Sequence, residues 1–464
     1  MPNQYEPPIG DRPEIAGAVL PPRPRHDPYA AFRSRGYRFF TTGNLLSIIG
    51  RQMLAVAVEW EIYRRTHSAT ALGLVGLVFA LAIVGLSLPA GHLADRISRK
   101  QIILVAQVFS AITSGLLALV SWQHLAIPQW SILRACNRGL TTIASVFERH
   151  DQAFHFDDAS IPLIYLLLFL GSIARTFSWA ARSSFFPTLV PRDAFANAVT
   201  WNSSVFQIGS VVGPALSGFV VAHRGFPIVY AIDAITSSMF FLMVLPIARS
   251  SQASGKEQST WKSLAAGAKF VFSRKVILAT ITLDLFAVLL GGSVALLPIF
   301  ADQILHCGPV GLGWMRAAPA VGAFAIALVV AYLPPMRQAG KLLLWCVGAF
   351  GVATIVFGLS KAFWLSLLML FIAGAVDSVS VIIRGSIVQL VTPDEMRGRV
   401  SSVNNIFIGT SNEFGALESG LTAALFGPVI SVVGGGIGTI LVVLGAAWKW
   451  PEIRKIGALD RNLK

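Results

Sequence analysis

Charge is what this 464-residue chain has least of. Asp, Glu, Lys and Arg make up 13% of it, against roughly a quarter in soluble globular domains. Cysteine is rarer still. Cys136, Cys307 and Cys346 stand far apart, which excludes a disulfide framework and a structural zinc site. No G-x-x-x-x-G-K-[ST] loop occurs, so ATP is not expected to supply energy. The first 36 residues are rich in Pro and Arg and lack an apolar core. They read as a disordered cytoplasmic tail and not as a cleavable signal peptide.

What the chain has instead is apolar length. Hydrophobic residues make up 54% of it, and the mean hydropathy is +0.66. Runs such as 69–88, 102–122 and 429–447 match the roughly 20 residues a helix needs to cross a hydrocarbon core. Backbone polar groups in lipid must be satisfied within the segment, so these runs must be helices. Twelve spans are expected, at 38–63, 70–90, 101–121, 161–181, 198–222, 226–247, 276–300, 310–333, 341–360, 362–383, 401–426 and 428–448. The fold class is thus all-α and polytopic, in a lipid bilayer.

The 37 basic residues outnumber the 23 acidic ones, giving a net charge of +14. With both termini inside, most Lys and Arg fall on cytoplasmic segments. The positive-inside rule therefore explains the charge, and nucleic acid drops out as a partner. Leu189-Val-Pro-Arg-Asp-Ala-Phe after the fourth span is echoed by Leu390-Val-Thr-Pro-Asp-Glu-Met after the tenth, 201 residues on. Lys100 and Lys341, each opening a span, stand 241 residues apart. The first half therefore holds an insertion of about 40 residues between these landmarks. The expected organisation is a tail (1–36), a six-helix half (37–247) with an external insertion (122–160), a central cytoplasmic loop (248–275), a second six-helix half (276–448) and a cytoplasmic tail (449–464). Within the insertion, 132–147 is expected to be helical on the membrane surface. His150, Asp151, His155 and Asp157 lack any fixed metal-ligand spacing and read as a solvated loop.

Between the second and third spans lies Gly91-His-Leu-Ala-Asp-Arg-Ile-Ser-Arg-Lys100. It resembles the loop signature of the major facilitator superfamily of transporters. On the fifth span, Gly209-Ser-Val-Val-Gly213-Pro214-Ala-Leu-Ser-Gly218 is similar to the glycine–proline motif of the superfamily's antiporters, although the glycine expected nine positions earlier is Thr200. Pro298–Leu305, Gly311–Pro319 and Arg397–Val403 resemble the bacterial branch that includes exporters of enterobactin-type siderophores. The resemblance implies two pseudo-symmetric halves of six helices rocking about a central site. It implies no enzymatic activity and no cofactor beyond a proton gradient. It also implies a monomer that takes a small-molecule substrate.

By that resemblance Asp95, Arg96, Arg99 and Lys100 would form a cytoplasmic latch to the facing half, with Arg397 and Arg399 as partners. Read from the residues alone, Asp95 caps the third helix and the basic residues set orientation. Gly209, Gly213, Pro214 and Gly218 allow close helix approach on either reading. Ionisable groups within spans are costly and so are functional candidates. Arg51, Arg175, Asp284 and Asp377 lie on the spans that line the superfamily's cavity, and Glu413 is central on the eleventh. Burial favours a protonated carboxyl and a nearby arginine the ionised one. Asp284, Asp377 and Glu413 are therefore the candidate proton carriers. Glu59, Glu61 and Asp233 are expected to be hydrated near the outer interface. The expected activity is proton-coupled export of a siderophore, drug or metabolite. Proton-independent uptake or uniport, and a non-transporting receptor, are the alternatives.

Overall fold

The computed structural model describes residues 27–122, 131–147, 160–248, 261–332, 336 and 338–457. Its helices are α1 (Arg35–Thr66), α2 (Ala69–Arg96), α3 (Arg99–Val120), α4 (Ser131–Phe147), α5 (Ser160–Phe185), α6 (Phe195–Arg224), α7 (Phe226–Val244) and α8 (Trp261–Ser273). They continue as α9 (Lys275–Leu290), α10 (Leu297–Ile299), α11 (Gly308–Tyr332), α12 (Ala339–Leu359), α13 (Phe363–Val391), α14 (Asp394–Phe426), α15 (Pro428–Lys449) and α16 (Pro451–Lys455). Among the described residues, ten helices are both long and apolar enough to cross a membrane. The other two spans are α1 and α14, long helices with charges along them. Twelve spans result, in two halves of six.

The halves repeat one packing scheme. In the first, α1 packs on α6 and α7, α3 on α5 and α7, and α2 on α5. In the second, α9 packs on α14 and α15, α12 on α13 and α15, and α11 on α13. The repeat reaches single turns. Gly225 (φ 80°) separates α6 from α7 and Gly427 (φ 91°) separates α14 from α15. Both adopt the left-handed backbone that favours glycine, and each is followed by a proline in the next helix's first turn.

Two seams join the halves, α2 along α14 and α6 along α11. Both start of α1 and end of α15 lie at one end of the bundle, the basal end. At the opposite, distal end the backbones come close. A Cβ on Gly420 would meet Gly73 Cα at 2.6 Å, and one on Gly313 would meet Gly218 Cα at 3.0 Å. Beside these seams a single apolar cluster draws Val56, Trp60 and Leu72 from the first half and Leu296, Phe300 and Met315 from the second. The ion pairs that cross between halves among the described residues, Glu59–Arg316 at 3.1 Å and Arg64–Asp302 at 3.6 Å, also lie towards this end.

Several expectations change. Gly91–Lys100 is not a loop: α2 runs to Arg96 and α3 starts at Arg99, leaving Ile97 and Ser98 between them. Asp95 therefore lies in the last turn of α2, and the N-cap position of α3 is held by Ser98. The seventh span is not continuous. It breaks at Gly291–Gly292, where a Cβ would strike Phe350 and the Gly415 carbonyl, and then passes through a 3-10 turn, α10 and a π turn at Phe300–Ile304. Within the insertion, α4 is mostly exposed but is tied to the bundle. It packs on α5, α2 and α14, with Ala144 buried in the first half's core. His150, Asp151, His155, Asp157, the linker 249–260 and the ends of both tails lie outside the described residues.

Candidate transport cavity

A cavity of about 390 Å³ lies between the halves. Glu59 (α1), Arg175 (α5), Asp284 (α9), Arg316 (α11), Asp377 (α13) and Glu413 (α14) line it, among small and apolar side chains such as Gly76, Phe79, Ala287 and Phe350. The spacing of each helix explains the convergence. On α13, Asp377 and Arg384 are seven residues apart and so share one face, as do Arg175 and Arg182 on α5.

The charges are held unequally. Arg384 forms an ion pair with Asp284 and sits 3.9 Å from Asp377. The Arg384 and Asp284 side chains are about one-tenth exposed, whereas the Asp377 side chain is 48% exposed. One arginine thus serves two carboxylates, one clamped and one half-exposed to the cavity. Arg316 bridges Glu59 of the other half and donates to the Val294 carbonyl at 3.2 Å. Arg175 stacks over Phe79 at 5.5 Å. Among the described residues nothing hydrogen-bonds or ion-pairs with the Glu413 carboxylate, which faces Arg175 and Arg316.

Four of the five expected cavity residues therefore meet: Arg175, Asp284, Asp377 and Glu413. Arg51 does not line this cavity. It turns into the interior of the first half, towards Asp233 and Arg182. Glu59, Glu61 and Asp233 are not exposed groups at the outer surface. Glu59 lines the cavity, and Glu61 is fully buried, bound by Arg65 (2.6 Å), Tyr230 (2.5 Å) and Ser121 (2.9 Å). Asp233 is buried and accepts from Ser114 at 2.6 Å. Arg182 and Arg384 are absent from the sequence-derived set because the fourth and tenth spans were ended just before them. Their spacing of seven from Arg175 and Asp377 is the signal that would have kept them.

The basic residues near Asp95 tie the first half to itself. Arg99 donates to the Ser184 carbonyl at 3.0 Å, and Lys100 donates to the Leu245 and Ile247 carbonyls at 2.7 and 2.6 Å, closing the end of α7. Arg397 pairs with Asp394 one turn away at 2.7 Å, and the Arg399 backbone lies against Gly267 of α8. Arg96 is exposed, and the Asp95 side chain lies outside the described residues. On α6, a Cβ at Gly209 would strike Ile48 and one at Gly213 would meet Ile49 O at 2.9 Å, so both glycines seat α6 on α1. Gly218 faces α11, and the Pro214 carbonyl lies against Gly313. The motif therefore serves one intra-half contact and one seam.

Residues 40–416 match the family model of the Major Facilitator Superfamily. The chain belongs to this superfamily. Curated relatives include the enterobactin exporter EntS of Citrobacter koseri, 27% identical over 420 residues that cover 90% of this chain and 92% of that one. EntS of Escherichia coli O81 is 26% identical over 88% of this chain and 89% of the relative. Among solved structures, a bacterial homologue of the human lysosomal transporter Spinster, inward-facing and unoccupied, superposes with a TM-score of 0.66 at 14% identity, covering 92% and 99% of the two chains. A D-xylose–proton symporter gives 0.65 at 14%, covering 91% and 98%. As a superfamily member the chain is a multi-pass membrane transporter of small molecules and not an enzyme.

The cross-half pair makes a prediction. Arg316→Met leaves Glu59 without its partner, at a cost of about 1–3 kcal/mol. For a distal end that opens and closes, that is roughly a 5- to 150-fold shift between the two states. A cysteine placed at Leu296, fully buried in the distal cluster, should be labelled correspondingly faster by a thiol reagent in the Arg316→Met background. An unchanged labelling rate would show that the pair does not hold the halves together.

Proposed function

We propose that this protein exports a small amphipathic molecule from the cytoplasm across the inner membrane, driven by protons moving the other way through the same cavity. In this reading the basal end faces the cytoplasm and the distal end is closed outward. The two states alternate by rocking of the halves. What carries the reading is the unequal grip of Arg384. Asp284 is clamped while Asp377 is half-exposed in the cavity, so protonation of one carboxylate can redistribute the arginine between two helices of the same half. Arg175, Arg316, Glu413 and the apolar walls supply contacts for a molecule with both polar and apolar parts. The enterobactin exporters at 26–27% identity support export and a siderophore-like substrate class.

In proteoliposomes, a pH gradient should drive enterobactin, the cargo named for those relatives and the first probe here, into the acidic compartment. A wider efflux screen with overproducing cells would follow. Movement of a transported probe that ignores the pH gradient would replace antiport with uniport. Binding without movement of any probe would point to a receptor.

A further inference from the structure

The first half contains a second cavity of about 80 Å³, enclosed by α1, α2, α3, α5 and α7. It shares only Ala55, Phe79 and Arg175 with the central cavity, so these three side chains form the partition between the two. Three arginines line it, Arg51, Arg175 and Arg182, against a single carboxylate, Asp233. The other polar groups on its wall are hydroxyls and one amide, such as Ser47, Gln107 and Ser114.

The hydrogen bonding leaves this charge uncompensated. Asp233 is engaged by Ser114. Arg182 donates to Asn44 Oδ1 at 2.9 Å and Ser47 Oγ at 3.2 Å, both neutral, and lies 4.5 Å over the Phe240 ring. Its Nε is buried without any partner. Among the described residues Arg51 has no hydrogen bond or ion pair. With Asp233 ionised, the cavity still keeps an excess of positive charge. Buried charges are otherwise paired, because the desolvation of an unpaired ion is severe. A guanidinium presents planar N–H donors suited to a halide or a carboxylate.

We propose that this cavity is a binding site for one small monovalent anion, a halide or a carboxylate, held between Arg51 and Arg182. The anion completes the polar core of the first half and sits one side chain away from the substrate path, behind Arg175. Asp233 opposes it as the only like charge on the wall.

Thermal unfolding of the full-length protein in detergent tests this, with chloride or acetate replacing gluconate at constant ionic strength. A saturable rise in Tm is expected, as for any ligand that binds only the folded state. Arg51→Gln should remove the rise. Asp233→Asn should tighten the apparent affinity by about tenfold or more, since it deletes a neighbouring like charge in a poorly screened interior. Saturation by both ions identifies a general small-anion site, and saturation by acetate alone identifies a carboxylate site. A Tm that is indifferent to both ions overturns the proposal. So does a rise that neither variant alters. If Arg51→Gln does not fold, the tightening in Asp233→Asn decides the matter alone.

Discussion

Asp284→Asn should abolish pH-driven flux and lower stability together, whereas Asp377→Asn should abolish pH-driven flux and leave stability nearly unchanged. The difference lies in how Arg384 is held. Removing the charge of Asp284 deprives a guanidinium about one-tenth exposed of its direct partner. Breaking a buried pair from one side typically costs about 3–5 kcal/mol, because the remaining charge stays buried. The Asp377 carboxylate is 3.9 Å from the same guanidinium and half in the cavity, so its loss costs little. Flux fails in both variants because each removes one of the two positions between which the arginine can move. Arg384→Gln added to Asp284→Asn should restore the stability but not the flux. Substrate counterflow, which needs no proton, should persist in Asp377→Asn. Full pH-driven flux in both single variants would remove this triad from the coupling mechanism.

Gly420→Leu should cut transport sharply in a protein that still reaches the membrane. Gly73 and Gly420 bring the backbones of α2 and α14 together, and a side chain at either position has nowhere to go. A Cβ on Gly420 meets Gly73 N at 2.7 Å and Ala69 O at 2.8 Å, all backbone atoms of the other half. Overpacking a tight contact costs about 1–3 kcal/mol, and more where only backbone could yield. In the proposed alternating cycle the strain falls on the state in which the distal end is closed, so the population shifts to the open one by about 5- to 150-fold. Transport should fall by a comparable factor, and a cysteine at Leu296 should become reactive. Gly434→Leu on α15 is the control, because nothing lies within 4 Å of a Cβ there. Normal transport by Gly420→Leu would mean that α2 and α14 need not meet closely in any step of the cycle.

The spans were legible because hydrocarbon imposes both length and apolarity on a helix. The repeat was legible because each half needs the same turns at the same places. Depth was read less well. Glu61 lies near the end of α1, yet Arg65 one turn on, together with Tyr230 of α7 and Ser121 after α3, closes over it. Its burial is a property of the neighbouring helices, which linear position does not report. Glu59 finds its partner 257 residues away in Arg316, a separation that no local pattern encodes. Arg182 and Arg384 were lost for a different reason. An arginine at the edge of an apolar run looks like its end, whereas α5 and α13 carry these residues inward on a polar stripe. The Gly91–Lys100 segment was read as a loop because it is charged, but helix geometry tolerates charge where a helix leaves the membrane.

Arg182 and Arg384 each stand nine residues before a proline, Pro191 and Pro393, that leads into the next long helix. Each reaches back to the first helix of its own half, to Asn44 and Ser47 in one and to Asp284 in the other. The scaffold is duplicated, but the electrostatics are not. In the first half the arginine is held by neutral dipoles, which a proton leaves as they were. In the second it is held by a carboxylate, and a proton arriving there cancels the bond itself. In the proposed cycle, acid therefore releases only one of these two matched arginines, the one in the second half.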